Sequence, residues 1–284
     1  MAQNVRALKG RIGNIENIKQ ITKAMNAIAM TKVTRMKRRL AETRPYIKGL
    51  ITFSQRMMGR LASDEEAHPL MVANGSSDVG IFVLNADRGL CGRYKGELNR
   101  ASERLIHELG TDGHLILGGD KARAYFARRD VHILRTYANV YDEPTEAIAT
   151  RMADELMAMY ESGDVGRIDL VYMRFVSDLS QEMVVEPFLP LSIEVDENDD
   201  LIDPEADTML DIALRMALRG ILYAALIETK TSEDALRRQA MRAATDNAED
   251  LLKTLTRVYN KARQQAITRE IADIIGGAEA LRTE

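Results

Sequence analysis

Apolar residues near the N-terminus recur at steps of three and four, which is the spacing of one face of an α-helix. The stripe comprises Val5, Leu8, Ile12, Ile15, Ile18, Ile21, Met25, Ile28, Val33, Met36 and Leu40. The steps slip near Ile18 and near Val33, so the pattern predicts a nearly straight helix without a strict heptad seam. Gly10 and Gly13 interrupt it, and we expect a second helix to cross closely there.

The N-terminal helical pattern meets a proline before it ends. We expect Pro45 to break or kink the helix, because proline removes a backbone donor and its ring crowds the preceding turn. Beyond this point, the residues predict that helical character resumes and continues through Leu61.

The C-terminal part of the chain carries a second long helical pattern, and Ile221 to Ile275 contains neither proline nor glycine. Its apolar stripe consists of Met241, Ala244, Ala248, Leu251, Leu255, Val258 and Ala262, continued by Ile267, Ile271, Ile274, Ala278 and Leu281. A helix from about Asp207 to Ile275 spans roughly 100 Å at about 1.5 Å per residue. Gly276 and Gly277 are its expected point of stopping or fraying. Such a helix needs a partner to be stable.

The middle of the chain alternates short apolar runs with helical patterns, which is typical of βαβ units around a mostly parallel sheet. Strands are predicted at 79–85, 114–117, 131–134 and 168–175, helices at 92–109, 121–128 and 143–160, and an edge strand or extended loop at 184–191. The predicted fold class is α/β, with a long antiparallel coiled coil of N- and C-terminal helices flanking a Rossmann-like α/β domain. The expected domains are 1–62, 75–195 and 205–284.

Charge is unevenly distributed along this chain of 284 residues, whose net charge is −4. Residues 1–50 hold twelve Lys or Arg and two Glu side chains, so this segment carries +10 and the remainder −14. A cationic arm on an acidic body indicates an anionic partner, unless the arm is simply solvated. Nucleic acid, an anionic membrane and an acidic protein surface all fit that charge. The basic cluster contains no aromatic residue and the apolar stripe is narrow, which favours the protein surface.

Little in the composition points to a secreted or membrane-spanning protein. Cys91 is the single cysteine, so no intramolecular disulfide forms, as suits a reducing compartment. The N-terminus lacks the apolar core of a signal peptide. No stretch approaches the roughly 20 apolar residues of a membrane-spanning helix. We therefore expect a soluble protein.

Candidate catalytic chemistry is sparse. Gly89 and Gly92 follow the first predicted strand, but their spacing matches neither the dinucleotide nor the P-loop pattern, so a tight turn is the better interpretation. The four histidines lack metal-ligand spacing, and no nucleophile motif occurs. We therefore expect no catalytic residue, cofactor or metal. Two alternatives stay open at this point: a nucleic-acid-binding or scaffolding coiled-coil protein, and a nucleotide-dependent enzyme built on the α/β domain.

Three stretches are together similar to one known family. Leu8–Val33 resembles the opening helix of the gamma subunit of F-type ATP synthases, and Asn85–Gly92 (NADRGLCG) resembles that family's turn after the first strand. Arg242–Leu281 resembles its C-terminal signature. Arg93 stands where the family usually has a further glycine, and the segment after Ala29 is less rich in alanine than is usual. The resemblance implies two long helices flanking an α/β domain.

The resemblance also implies a function without catalysis by this chain. The chain would be the central-stalk rotor subunit, peripheral on the cytoplasmic face of a bacterial inner membrane or on the matrix side in mitochondria. It would transmit torque from the proton-driven c-ring to the head, one copy per three alpha and three beta subunits, and it would contact epsilon. No nucleic acid binding and no direct lipid insertion are expected.

Matching positions carry the family's contact roles over to this chain. The beta-subunit contacts implied are Lys23, Met25, Lys32, Arg35, Lys37, Arg38, Arg39, Arg263, Gln264, Thr268 and Glu270. The foot on the c-ring and epsilon would involve Glu205, Asp207 and Arg215. Ile271, Ile274, Ile275 and Leu281 fit an apolar tip that slides inside a sleeve.

Overall fold

The structure is a computed structural model that describes residues 2–61, 68–140, 143–192 and 206–280. At residues 2–4, 58–61, 206–208, 276–277 and 279–280 it describes the backbone alone. The chain forms two compact units. The first unit, called the helix-pair unit below, consists of Met1–Ile28 and Arg238–Glu284. The second, the α/β unit, is Ala29–Arg237.

Five helices and five strands make up the regular structure of the described residues. The helices are α1 (Ala2–Leu61), α2 (Tyr94–Leu109), α3 (Asp120–Phe126), α4 (Glu146–Glu161) and α5 (Ala206–Ala280). The strands are β1 (Val79–Leu84), β2 (Gly113–Gly118), β3 (Ile133–Tyr137), β4 (Arg167–Phe175) and β5 (Gln181–Leu189). Short 3-10 turns cover Pro69–Met71 and Gly110–Asp112. The predicted fold class is confirmed, and the ends of the inner strands and helices differ from prediction by at most three residues.

The sheet has the order β3-β2-β1-β4-β5. Its first four strands are parallel, and β5 returns antiparallel to β4 at the edge. Pro187 lies in β5, as suits an edge strand, because proline has no N–H for a second neighbour. Residues 184–189 of the predicted segment 184–191 therefore belong to an edge strand, and the last two residues follow it.

Both faces of the sheet are covered, which explains its continuous apolar runs. Along β1, Phe82 and Leu84 belong to a core with α4 and α5, whereas Ile81 and Val83 belong to a core with α2 and α3. Side chains in a strand point alternately to opposite faces, so a strand buried on both faces is apolar throughout. This burial fixes β1 in the centre of the α/β unit.

In the helix-pair unit, α1 and α5 run antiparallel. Lys19 Nζ lies 2.8 Å from Glu249 Oε1, and the Thr22 and Thr245 hydroxyl oxygens lie 2.8 Å apart. A lower number on α1 thus meets a higher number on α5. The positions withdrawn from solvent contain an unbroken alternation of steps of three and four on both helices. On α1 they include Val5, Leu8, Ile12, Ile15, Lys19, Thr22 and Asn26, and on α5 Met241, Thr245, Ala248, Leu252, Leu255, Tyr259, Ala262 and Ala266.

The expectation of an irregular, non-heptad stripe was therefore wrong. Polar residues hold seam positions on α1, so a search for apolar residues alone loses the period there. Ile18, Ile21 and Ile28 were assigned to the stripe, yet they are 48%, 59% and 57% exposed. On α5, Leu251 and Val258 are likewise 51% and 47% exposed.

Two further expectations about the long helices were wrong, and a third was wrong in part. The α1 helix continues through Pro45, so the break that the proline was expected to cause does not occur. Pro45 and Ala41, whose carbonyl the proline ring leaves without its usual donor, are both exposed, so water can reach that carbonyl. No described residue of a second helix approaches Gly10 or Gly13 closely, because a Cβ added at either would meet nothing within 4 Å. Beyond Gly276 and Gly277, the α5 helix continues to Ala280.

Candidate functional site

Two residues of the predicted basic cluster on α1 have acidic partners within the α/β unit. Arg35 Nη2 lies 2.8 Å from Glu143 Oε1. Lys37 Nζ lies 3.4 Å from Asp178 Oδ1, in the loop between β4 and β5, and 5.5 Å from the centre of the Phe175 ring. Part of the N-terminal positive charge is thus neutralised by the α/β unit itself, which the charge count along the sequence did not reveal.

The remaining basic residues of the cluster differ in exposure. Arg38 is an outward-facing residue whose side chain is 84% exposed and lies 3.0 Å from Glu42 on the same helix. Arg39 is half-buried and donates to the Pro144 carbonyl at 3.4 Å. Lys32 is half-buried. Arg38 is therefore the member of this cluster best placed to meet an acidic partner.

The predicted contact residues of the helix-pair unit lie at its surface. Lys23 is exposed and Met25 is half-buried beside the seam. On α5, the predicted contact residues are all exposed: Arg263, Gln264, Thr268 and Glu270. Of the expected apolar tip, Ile271, Ile274 and Ile275 are 52%, 66% and 57% exposed, and Leu281 lies outside the described residues.

The expected foot is only partly visible. Glu205 lies outside the described residues, and Asp207 is described by its backbone within α5. Arg215 forms an ion pair with Asp211 at 2.8 Å and with Glu161, at the end of α4, at 2.5 Å. Arg215 thus ties two helices of the α/β unit together, whatever else it contacts.

An apolar flank lies beside the seam of the helix-pair unit, and the sequence analysis missed it. The flank consists of Ile18, Met25, Leu251 and Val258. Each comes directly before a seam residue (Lys19, Asn26, Leu252 and Tyr259), and these four seam residues hold equivalent places in the alternation of three and four. In an antiparallel pair, residues in that place lie along the same side of the two helices. Ile18, Leu251 and Val258 are exposed and Met25 is half-buried, with the exposed Ile21 close by on α1. Grouped exposed apolar side chains are typical of surfaces that contact other proteins.

The turn that follows β1 is held by internal hydrogen bonds. The buried Asn85 side chain donates to Asn99 Oδ1 at 2.6 Å, and its own oxygen accepts from the Ala86 N–H at 2.7 Å. Asp87 Oδ1 accepts from the backbone N–H groups of Asp120 and Asn139, both at 3.1 Å. These two donors lie beyond the carboxyl ends of β2 and β3, at the edge of the sheet where parallel sheets hold phosphates. The Asp87 carboxylate takes up donors that a phosphate would use.

Gly119 makes this closed arrangement possible. Its φ of +94° is a conformation that L side chains rarely adopt. A Cβ there would stand 2.5 Å from the Asn85 carbonyl oxygen and 2.8 Å from that of Ala86. Glycine therefore lets the β2–α3 connection pass directly over the turn after β1.

A polar stretch of α5 is buried on all sides within the α/β unit. Every residue from 225 to 237 is buried, although the stretch contains five charged residues: Glu228, Lys230, Glu233, Asp234 and Arg237. Lys230 Nζ lies 3.3 Å from Glu233 and 3.2 Å from Asp234. Arg237 is hydrogen-bonded to both carboxylates. Two positive and two negative charges thus balance among these four residues, as burial requires, and Glu228 is paired with Arg44 of α1 at 2.6 Å.

Two histidines at the neighbouring strands β2 and β3 contact each other, although they are 18 residues apart in sequence. His114 in β2 and His132 just before β3 place their Nδ1 atoms 3.0 Å apart. His114 Nε2 lies 3.5 Å from Asp78 Oδ1. Over the described ranges, no group of three His, Cys, Asp or Glu side chains is arranged to hold a metal ion.

None of the described helices has a segment long and apolar enough to cross a membrane.

Comparison with known sequences gives consistent matches over nearly the whole chain. A family model described as ATP synthase matches residues 4–281. The ATP synthase gamma chain of Picosynechococcus sp. is 35% identical over 312 aligned positions, covering 98% of this chain and 99% of that protein. The ATP synthase gamma chain of Halothermothrix orenii is 35% identical, covering 99% of this chain and all of that one.

Solved structures match in fold at lower sequence identity. A chain of the Euglena gracilis mitochondrial ATP synthase, in a structure of its OSCP, F1 and c-ring parts, superposes with a TM-score of 0.70 and 19% identity. That match covers 99% of this chain and 95% of the other. A chain of the Tetrahymena thermophila mitochondrial ATP synthase central stalk and c-ring gives a TM-score of 0.62 at 18% identity, covering 79% of this chain and 99% of that one.

Proposed function

This chain belongs to the ATP synthase gamma chain family, and we propose that its long helices act in the central stalk as the shaft that carries torque between the proton-driven c-ring and the catalytic head. The observation that carries this proposal is the antiparallel pairing of α1 and α5, held by a regular seam. A paired shaft resists bending and twisting better than a single helix. The chain is a non-catalytic stalk subunit, and ATP would be made or hydrolysed on other subunits.

The surface of the helix-pair unit is asymmetric, as this role requires. One side carries the apolar flank of Ile18, Met25, Leu251 and Val258, and charged residues such as Lys23 and Arg263 are exposed elsewhere. A turning shaft that shows different faces to three identical beta subunits gives each a different nucleotide affinity. Contact with one face shifts the population of that subunit's conformations.

Particular residues are assigned to the stator contacts. The residues that would contact acidic segments of beta subunits are the basic ones: Lys23, Lys32, Arg35, Lys37, Arg38, Arg39 and Arg263. Met25, Gln264, Thr268 and Glu270 would make further beta-subunit contacts beside them. Arg38 is the strongest candidate of the α1 cluster, because its side chain is more exposed than those of Arg35 and Lys37. The exposed isoleucines near the end of α5 would give a low-friction bearing, because apolar contacts are non-directional.

Three charged residues are assigned to the foot, the end of the stalk that faces the c-ring. Glu205, Asp207 and Arg215 would contact the c-ring and the epsilon subunit. One copy of this chain would serve three alpha and three beta subunits. The protein would then lie at the membrane surface through its partners, on the cytoplasmic face of a bacterial inner membrane or the matrix side in mitochondria.

Affinity purification of a tagged chain tests this assignment. Alpha and beta subunits should co-purify in threefold excess over the tagged chain, together with epsilon and the c-ring. The charge reversal Arg263→Glu should leave that assembly intact while slowing coupled ATP turnover, and Arg257→Glu, on the same exposed stretch of α5, is the matched control. A tagged chain recovered alone, or with nucleic acid, would reject the assignment.

A further inference from the structure

The α5 helix changes character within the α/β unit. Up to Ile227 it contributes buried leucines to the core, among them Leu218, Leu222 and Leu226, but beyond Ile227 it has few large apolar side chains although it is still buried. From Glu228 to Arg237 its only large aliphatic residue is Leu236, and its uncharged polar residues are small. Threonine, serine and alanine give a helix a smooth surface with shallow ridges, which interlock weakly with their neighbours. Apolar packing is also non-directional. Packing alone therefore resists rotation of this stretch about its axis only weakly.

Apart from Leu236, the large side chains of the stretch are the charged ones, and two of them reach other elements. Glu228 Oε1 lies 2.6 Å from Arg44 Nη2 of α1. The Arg237 guanidinium donates to the Gly89 carbonyl, through Nη2 at 3.3 Å and through Nε at 3.4 Å. Glu233 and Asp234 hold the same guanidinium from α5 itself. Because the guanidinium is planar and its donors are fixed in a fork, its aim toward the carbonyl is set by these two carboxylates.

The acceptor lies in a segment whose own conformation is narrowly defined. Leu90 and Gly92, on either side of Cys91, have φ of +62° and +59°. The turn is anchored to α2 and to the start of α3 through the Asn85 and Asp87 hydrogen bonds described above. One turn of helix before the charged residues, Tyr94 OH lies 3.4 Å from the Thr229 carbonyl and 3.3 Å from that of Leu84. The turn and α5 are thus joined by directional bonds.

We infer that Arg237, aimed by Glu233 and Asp234, is a positioning residue that fixes the rotational setting of α5 in the α/β unit, so that torque applied to that unit turns α5. This inference rests on the proposed function. Lys230 balances the second carboxylate, which lets the cluster stay charged and directional in a buried place. An uncharged cluster of equal volume would fill the space without fixing the rotation of α5 about its own axis.

The test uses the assembled ATP synthase in vesicles, with the variant Arg237→Met and the matched control Arg242→Met, an exposed arginine on the same helix. ATP hydrolysis and ATP-driven proton uptake are measured on the same preparation. We expect Arg237→Met to lose severalfold in protons moved per ATP hydrolysed, while Arg242→Met keeps the wild-type ratio. A residue that only stabilised the fold would lower the yield of complex and leave this ratio unchanged.

The single cysteine supplies a second readout at the turn. The Cys91 thiol is 1% exposed, and burial, followed by the neighbouring Glu233 carboxylate, raises its pKa. Thiol labelling of Cys91 by a maleimide should therefore be slow in the wild type and severalfold faster in Arg237→Met. Arg242→Met should label at the wild-type rate.

Two milder variants decide the matter if Arg237→Met does not assemble. Arg237→Lys keeps the charge but loses the fork, and Glu233→Gln keeps the volume but loosens the aim, so both should lower the proton ratio by a smaller factor. A wild-type ratio in every assembled Arg237 and Glu233 variant would overturn the inference. If the complex containing the wild-type chain shows no proton uptake that depends on this chain, the proposed function fails instead.

Discussion

Replacing Gly119 by alanine should damage the closed turn at the carboxyl end of the sheet. The added Cβ would stand 2.5 Å from the Asn85 carbonyl oxygen, 2.8 Å from that of Ala86 and 2.9 Å from the Ala86 carbonyl carbon. All three atoms belong to the backbone, so no side chain can swing aside. The Gly119 N–H also donates to the Tyr137 carbonyl at 2.8 Å, which ties the position to β3.

The expected loss has two parts. A backbone conformation essentially restricted to glycine costs about 1–3 kcal/mol when another residue is forced into it. Crowding against fixed atoms in a packed interior costs a further amount of about 1–3 kcal/mol. We therefore expect Gly119→Ala to lower the free energy of unfolding by about 2–6 kcal/mol.

The matched control is Gly163→Ala. Gly163 also has a positive φ, +82°, but a Cβ there would meet nothing within 4 Å. Its expected loss is the conformational part alone, about 1 kcal/mol. Urea titrations of the isolated chain followed by circular dichroism measure both variants. Equal losses in the two variants would show that the close approach to Asn85 and Ala86 does not matter, and the account of a closed turn would be wrong.

Three further predictions concern the helix-pair unit. Thr22→Val with Thr245→Val should change its melting temperature less than either single substitution, because only the pair removes both hydroxyls from the seam; additive losses in a double-mutant cycle would contradict this. The ion pair with Lys19 lowers the pKa of Glu249, so its contribution to stability is present above the ordinary glutamate pKa and is lost as pH falls through the lowered one. In Lys19→Met the Glu249 carboxyl should titrate at higher pH by NMR, and an unchanged titration would refute the pairing. Ile21→Gln should leave the melting temperature unchanged, because Ile21 is 59% exposed, but it should weaken binding to the alpha and beta subunits. A large fall in melting temperature would show that Ile21 is a seam residue after all.

Elements with a strong local pattern were predicted from sequence. The buried strand β1 is a continuous apolar run, and the helices α2 and α4 have clear amphipathic spacing, so their existence follows from local periodicity. The antiparallel partnership of the terminal helices also followed, because neither could be stable alone at that length. The strand and the two helices depend on neighbours in sequence, and the pairing of the terminal helices depends only on the need of each for a partner.

The seam of the helix pair could not be read from apolar residues alone. Lys19 and Thr22 occupy seam positions, and their partners Glu249 and Thr245 are supplied by a helix more than 200 residues away. Only the paired helix shows that such polar residues are covered, and that Ile18 is not. The register of two helices is a property of the pair, which one helix's pattern records incompletely.

The closed turn and the buried charges depend on contacts between distant segments as well. Asp87 is satisfied by N–H groups from two other loops, so its role is invisible in the glycine spacing around it. The charges of Glu233 and Arg237 are spaced like an ordinary solvent-exposed helix pair. Their burial arises from the surrounding fold, and no local signal distinguishes them.

Rotation of this chain inside an immobilised catalytic head tests the central claim most directly. A bead can be attached through Leu179→Cys, since Leu179 is 81% exposed in the loop between β4 and β5, while the buried Cys91 stays unlabelled. With ATP present, we predict unidirectional rotation of the bead with three equally spaced pauses in each turn. A bead that stays fixed while the same complexes hydrolyse ATP would contradict the claim that this chain is the shaft.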